Sequence, residues 1–319
     1  MVVRTNAPPW VFERLRQPAI EVQPLETDTG VAQVGSLTID EDETIRRAAV
    51  FYKDFDRHTR DEAKYLKTIG ATIVVGDIPP LAFAAADRAG IPSVAVANFT
   101  WDWIYAYYPR FDVVSPGVIE TITQAYGRAT SALRLPLAGG FDSMTEVVRD
   151  IPFIARRSRR DRLDTRRLLG LEGHQLIVLV SFAGHGLALP YAQIGASGLT
   201  VLAPEQAVPA GLTYEDLVAA ADVVVSKPGY GIVSECLANA TPLLYTSRGR
   251  FREYDVIVAE MPQILRCRYI EQGDLLSGNW RDAIEALLAQ PEPPRRPEVN
   301  GAEVAAELIC DRLLQPLDD

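Results

Sequence analysis

The chain has 319 residues, 48% of them hydrophobic and 23% charged, and a formal net charge of −10. That length accommodates two domains, the composition is that of a globular protein, and the acidic balance argues against general nucleic-acid binding. The three cysteines, Cys236, Cys267 and Cys310, form no CxxC pair and carry no metal signature, no apolar run approaches the ~18 residues of a spanning helix, and residues 1–20 lack signal-peptide order, so a cytoplasmic protein is expected.

Met1 to Thr5 reads as the end of a strand, followed by a helix near Pro9 to Leu15. Residues 21–40 are turn-rich. Residues 41–69 form one long charged helix, with Ile45, Ala49, Tyr52, Phe55, Ala63 and Leu66 at helical spacing and Gly70 at its end. The β-branched run Ala71 to Val75 predicts a strand covered on both faces. An alanine-rich helix, Pro80 to Ala89, and a strand, Ser93 to Ala97, complete a parallel crossover unit. Residues 98–126 are aromatic-rich and then helical from about Val118, and a proline- and glycine-containing segment spans 136–152. A helix around 156–170 carries seven arginines between Arg156 and Arg167.

A second α/β series starts there. Strands are expected at Leu176–Val180, Leu199–Leu202, Val223–Val225 and Pro242–Tyr245. Helices are expected at Tyr214–Ala220, Ile232–Ala238, Val256–Met261, Trp280–Leu288 and Ala302–Leu314. The fold class is therefore α/β, with one Rossmann-like domain over 1–150, a second over 151–300 and a final helix in 301–319.

Chemistry concentrates at strand ends. Ser226-Lys227-Pro-Gly229-Tyr230-Gly231-Ile-Val-Ser234-Glu235 joins a buried strand to a helix through a glycine turn. Helix-start N–H groups favour an anion, and glycines let a phosphate approach the backbone. A plain tight turn explains the glycines equally well. Glu235 suits two ribose hydroxyls, or is ordinary charge near a helix start. Ser181-Phe-Ala-Gly184-His185-Gly186 is a second glycine loop at a strand end, where parallel sheets bind ligands, although a lone loop histidine is often merely solvated. In Arg248-Gly-Arg250-Phe-Arg252-Glu253, the arginines suit phosphate and Glu253 suits a sugar, against a solvated loop of mixed charge.

On the other side, Asp77 ends a strand. Asn98-Phe-Thr-Trp101-Asp102-Trp103-Ile-Tyr105 offers a sugar-stacking wall or, by preference, packed core. The arginine run is simplest as a solvated helix, with anionic lipid as the minor alternative and peripheral membrane contact its consequence. No Ser/His/Asp triad, Walker loop or zinc-ligand spacing is present.

Taken together, Gly76-Asp77-Ile-Pro-Pro80, Asn98 to Tyr105, Ser226 to Glu235, Phe251-Arg-Glu253, Asp274 to Trp280 and Asn300 to Ala306 resemble the GT-B glycosyltransferases, in the branch of the MurG-type and UDP-glycosyltransferases. The closer resemblance, over nearly the whole chain, is to the glycosyltransferase-like amino-terminal region of plant L-arabinokinases and its bacterial stand-alone relatives. It implies two Rossmann-like domains facing a cleft, the second holding a nucleotide-sugar, the first an acceptor, and a last helix crossing back. It implies a UDP-sugar as donor substrate, a hexosyl group moved to an acceptor the sequence does not identify, and neither cofactor nor metal.

By the same resemblance, Ser181, Gly184, His185, Lys227, Gly229, Tyr230, Gly231, Ser234, Glu235, Arg250 and Glu253 form the donor side. Asn98, Trp101, Asp102 and Trp103 form the acceptor side. Asp77 falls where relatives place an acid that orients a catalytic histidine, and it is the base candidate here. That histidine belongs to a strand–loop–helix unit of ~30 residues that precedes the first strand seen in this sequence. Two other readings stay open. One is a non-catalytic nucleotide-sugar-binding or regulatory module, and the other is an enzyme like the UDP-sugar 2-epimerases.

Overall fold

The computed structural model describes residues 1–8, 11–12, 20–173, 176–182, 187–203, 208–209 and 211–314. The helix expected near Pro9 to Leu15, and Gly184 and His185, lie outside the described residues. The chain opens with two strands paired in parallel, β1 (Val2–Arg4) and β2 (Glu21–Gln23). An antiparallel hairpin follows, β3 (Ala32–Val34) and β4 (Thr38–Asp40). It was legible only as turn-rich sequence.

The long helix expected over 41–69 is two helices, α1 (Glu41–Lys53) and α2 (Phe55–Thr68). Asp54, at φ −104° and ψ 13°, leaves helical geometry between them, and α1 with Phe55 packs in one apolar cluster while Ala63 and Leu66 pack in another. Next come β5 (Val74–Gly76), α3 (Pro80–Ala89), β6 (Ser93–Phe99), α4 (Trp101–Tyr105), α5 (Phe111–Val114), α6 (Val118–Tyr126), β7 (Ser131–Gly139) and β8 (Val148–Asp150). Strand β7 was missed because it contains Pro136. The structure tolerates that proline because the ladder to β8 uses only Ala132 to Arg134 and the ladder to β6 shifts register before Gly139.

The second series runs α7 (Arg162–Leu168), β9 (Leu176–Ser181), α8 (Tyr191–Ala196), β10 (Leu199–Leu202), α9 (Tyr214–Ala220), β11 (Val223–Ser226), α10 (Tyr230–Ala238), β12 (Leu243–Tyr245), α11 (Arg252–Glu260), β13 (Cys267–Tyr269), α12 (Gln272–Ser277), α13 (Arg281–Leu288) and α14 (Gly301–Leu314). Only Arg162 to Leu168 of the expected arginine-rich helix is helical. Residues 155–160 run as a strap held by Ser158 N on Asn239 Oδ1 (2.9 Å) and Ser158 Oγ on Asp216 Oδ1 (2.6 Å).

Two larger sheets result, both wholly parallel. One has the order β5-β6-β7-β8 and the other β10-β9-β11-β12-β13. In the second, successive residues of β11 and β12 pack into different apolar clusters, Val224 and Leu243 in one, Val223, Val225 and Leu244 in the other. Burial on both faces explains the unbroken β-branched run. The last helix packs against the first sheet, with Val304, Ala305, Leu308 and Ile309 on Val94, Leu133, Leu135 and Ile151. Among the described residues, no helix is long and apolar enough to cross a membrane.

Candidate functional site

The carboxyl ends of β5, β6, β9 and β11 open on one cavity of about 890 Å³. Its walls include Asp77, Asn98 and Trp101 from the first half, Ser181, Lys227, Gly229, Tyr230, Gly231, Arg248 and Glu253 from the second, and Ala302, Ala305 and Ile309 of α14. Residues expected on opposite sides of a cleft are thus brought together.

The glycine turn sits where the strand run stops. Gly229 is the N-cap of α10, so the first N–H groups of that helix open on the cavity. A Cβ at Gly231 would meet nothing within 4 Å, and one at Gly229 would meet only the Arg248 guanidinium at 3.3 Å. Neither glycine has a positive φ. Packing and backbone conformation therefore leave Gly231 unexplained, and the space beside it opens on the cavity.

Arg248 and Glu253 tie the two walls. Arg248 Nη1 donates to Glu253 Oε2 (3.1 Å), and Asn98 Nδ2 from the first half donates to Glu253 Oε1 (2.8 Å). Both charged side chains are buried, at 11% and 6% exposure, and burial lowers the Arg248 pKa against the raising effect of Glu253. Glu253 thereby positions Arg248 while still lining the cavity, and each of its oxygens keeps a lone pair for a further donor. Lys227 Nζ donates to Ser36 O (2.7 Å) and Gln33 Oε1 (3.1 Å), and burial with the nearby Arg248 charge pushes its pKa down to about 8.

Several expected site residues also make bonds within the protein. Glu235 does not line the cavity. The strap lays Arg156 over it, with Arg156 Nε donating to Glu235 Oε1 at 2.6 Å. Ser234 Oγ donates back to Gly231 O within the helix (3.0 Å). Tyr230 lines the cavity but its hydroxyl accepts from Ile154 N (3.0 Å), and its ring stacks on Phe153. Ser181 Oγ and Tyr214 OH share a 2.6 Å hydrogen bond. Arg250 turns to the first half, donating to Tyr107 O (3.1 Å).

On the acceptor side, Trp103 packs where a Cβ on Gly139 would lie 2.3 Å from its ring, and Arg252 stacks over it at 4.5 Å. Asp102 accepts from Trp103 N and Thr123 Oγ1 (2.9 and 3.0 Å). Both are half-buried, with Trp103 packed against the core of the first half. Asp77 opens into the cavity, and crowding by protein raises its pKa.

Two comparisons with known proteins find relatives. L-arabinokinase of Arabidopsis thaliana is 30% identical over 335 aligned positions, covering 96% of this chain. This chain spans 31% of that protein's length. A crystal structure of the glycotransferase of kitacinnamycin superposes with a TM-score of 0.61 at 17% identity over 98% of each chain. CalG4, the calicheamicin glycosyltransferase, gives 0.62 at 15% identity over 100% of this chain and 91% of its own. UDP-glucose:anthocyanidin 3-O-glucosyltransferase, solved with UDP, gives 0.56 at 11% identity over 99% and 88%. The chain has the GT-B fold. No protein-family model matches its sequence.

Within this GT-B fold, one group escaped the sequence reading, and of the three arginines that reading offered for phosphate one lines the cavity. Arg248, not Arg250, is the guanidinium in the cavity wall. Asp28 lies in the turn-rich stretch, where Tyr105 OH bonds both Thr29 Oγ1 (3.0 Å) and Gly30 O (2.8 Å). Burial, with small contributions from Asp77 and Glu26, raises its pKa from 3.8 to about 6. Gly30 O, Trp101 and a positive φ at Gly30 fix that turn, yet a lone Asp between threonines carries no sequence signal. The arginine run is largely spent internally. Arg156 pairs with Glu235, Arg160 with Asp216, Arg162 and Arg166 with Asp222, and Arg167 with Asp164.

Proposed function

We propose that the chain binds a nucleotide-sugar, a UDP-sugar, in this cavity and acts as a glycosyltransferase. The diphosphate lies over the N-terminus of α10, with Lys227 and Arg248 beside it. The observation that carries this reading is the empty space at Gly231, beside two cations and a helix start. Support for UDP comes from proteins of the same fold solved with it.

In the transfer step, Asp77 takes the proton of an acceptor hydroxyl. The acceptor oxygen forms a bond to the anomeric carbon as the bond from that carbon to the β-phosphate oxygen breaks. The electron pair leaves with the nucleoside diphosphate. Its charge is met by the α10 N–H groups, Lys227 and Arg248, so no metal is required for that stabilisation. The protein around Asp77 raises its pKa, which makes its carboxylate a stronger base. Glu235 serves the ribose only when Arg156 turns aside.

Calorimetric titration with UDP and UDP-glucose tests the donor site. Wild type is expected to bind both, and Lys227→Ala to weaken each by tenfold or more. Equal affinity in wild type and Lys227→Ala, or no binding by wild type and every cavity variant, would sink the assignment.

A further inference from the structure

The β3–β4 hairpin belongs to neither large sheet. Its root is fixed in the first half, where Ala32 N donates to Thr44 Oγ1 (2.9 Å) and Thr44 Oγ1 donates to Asp40 O (2.6 Å). Its tip is inserted in the second half. Ser36 is buried at 4% exposure and donates from Oγ to Phe182 O, just past β9 (3.1 Å). Lys227, just past β11, donates to Ser36 O and Gln33 Oε1. Leu37 packs on the apolar cluster of the second half, and its carbonyl oxygen leaves only 3.2 Å for a Cβ at Gly249.

That seat has a topological meaning. The chain leaves β9 for β10 on one side of the sheet and returns to β11 on the other side. The carboxyl ends of β9 and β11 therefore flank the switch point, where open α/β sheets bind ligands. The Ser36 turn of the hairpin abuts that crevice, while Val34 and Gly35 stay exposed. It offers Lys227 two uncharged carbonyl-type oxygens. Among the described residues Lys227 has no carboxylate partner, while the neighbouring Arg248 already has Glu253.

Resting on the donor-site reading above, we propose that the Gln33–Leu37 tip is an internal cap on that site, a stand-in for the diphosphate that leaves when the nucleotide binds. The exchange replaces neutral acceptors at Lys227 by charged ones, which make the stronger hydrogen bonds. It costs the burial of Ser36 and Leu37. Because only the uncapped fraction accepts ligand, the cap lowers the apparent affinity of the site by that fraction. The Lys227 pKa of about 8 agrees, since the cap brings no negative charge to compensate burial.

The test is calorimetric titration of UDP and inorganic pyrophosphate into wild type, Gln33→Ala and Ser36→Ala. It is paired with amide hydrogen exchange over residues 33–37. The expected result is about tenfold tighter binding by each variant, about 1.4 kcal/mol, and faster exchange of the tip at ligand saturation. Lys227→Ala in the Gln33→Ala background should abolish the gain. Binding that is equal or weaker in both variants, with a tip that stays protected, would overturn the cap while leaving the donor site standing. Failure of wild type and both variants to bind either ligand would remove the donor site and the cap together. Binding only by the variants is the strongest supporting outcome.

Discussion

The two parallel sheets are built alike and finished differently. In the second, every residue of β11 is buried, and strands lie on both sides of it. In the first, β5 is an edge strand, and Val75 is 49% exposed on a run whose composition suits a covered strand. The β1–β2 pair is parallel too, yet among the described residues no ladder joins it to β5. A β-branched run thus reports the environment a strand is suited to, not the one it has. The better-covered sheet carries the glycine turn at the cavity, and the more open one carries Asp77.

That contrast can be broken at the seam, tested in each core, and sharpened at the edge. The largest effect is expected for Glu253→Ala. It leaves the buried Arg248 without its partner and frees Asn98. Stability should fall by about 3–5 kcal/mol, as for other broken buried pairs, read from urea unfolding. Leu244→Ala, in a fully buried position of β12, should cost about 3 kcal/mol in the same assay.

Asp28→Asn should act in the opposite direction. The native Asp28 carboxyl, with its pKa raised from 3.8 to about 6, holds a proton that the unfolded chain releases within that window. Its contribution to stability therefore falls as pH rises from about 4 to 6 and stays low above that. The asparagine variant should be more stable by about 2 kcal/mol at pH 7.5, with the gain shrinking towards pH 4. A gain independent of pH would contradict this origin. The smallest effect is expected for Val75→Ala, within about 0.5 kcal/mol. A cost near that of Leu244→Ala would show that the β5 edge is covered in solution.

Much of the frame was legible because its signals are local. Val223 to Val225, the Gly229 turn and the Pro80 to Ala89 helix each fall in one short window of sequence. The parts that were missed are made by distant partners. Lys227 and Ser36 are 191 positions apart, and Asn98 and Glu253 are 155 apart. No periodicity announces that a turn-rich segment will bury its serine in another sheet's crevice. Nor does helix composition show that Glu235 will lie under Arg156, because the strap that brings Arg156 there has no regular secondary structure. Asp54 and Pro136 misled for another reason. Tertiary packing there overrode a helical pattern and a strand breaker.

Ile154 and Asn300 face each other across an antiparallel bridge, and Gly301 N donates to Phe153 O at 2.9 Å. A Cβ at Gly301 would lie 2.1 Å from Pro152 O, so the two chain crossings touch backbone to backbone. Everything between them departs from and returns to nearly one point. For an engineer, residues 155–299 are a cassette with adjoining ends. The corresponding half of another protein of this fold is expected to splice in at these two cuts without a linker, and the surfaces to be rematched include the Asn98–Glu253 bond, the seat of the Ser36 turn and the aromatic–arginine contacts around Trp103 and Tyr107.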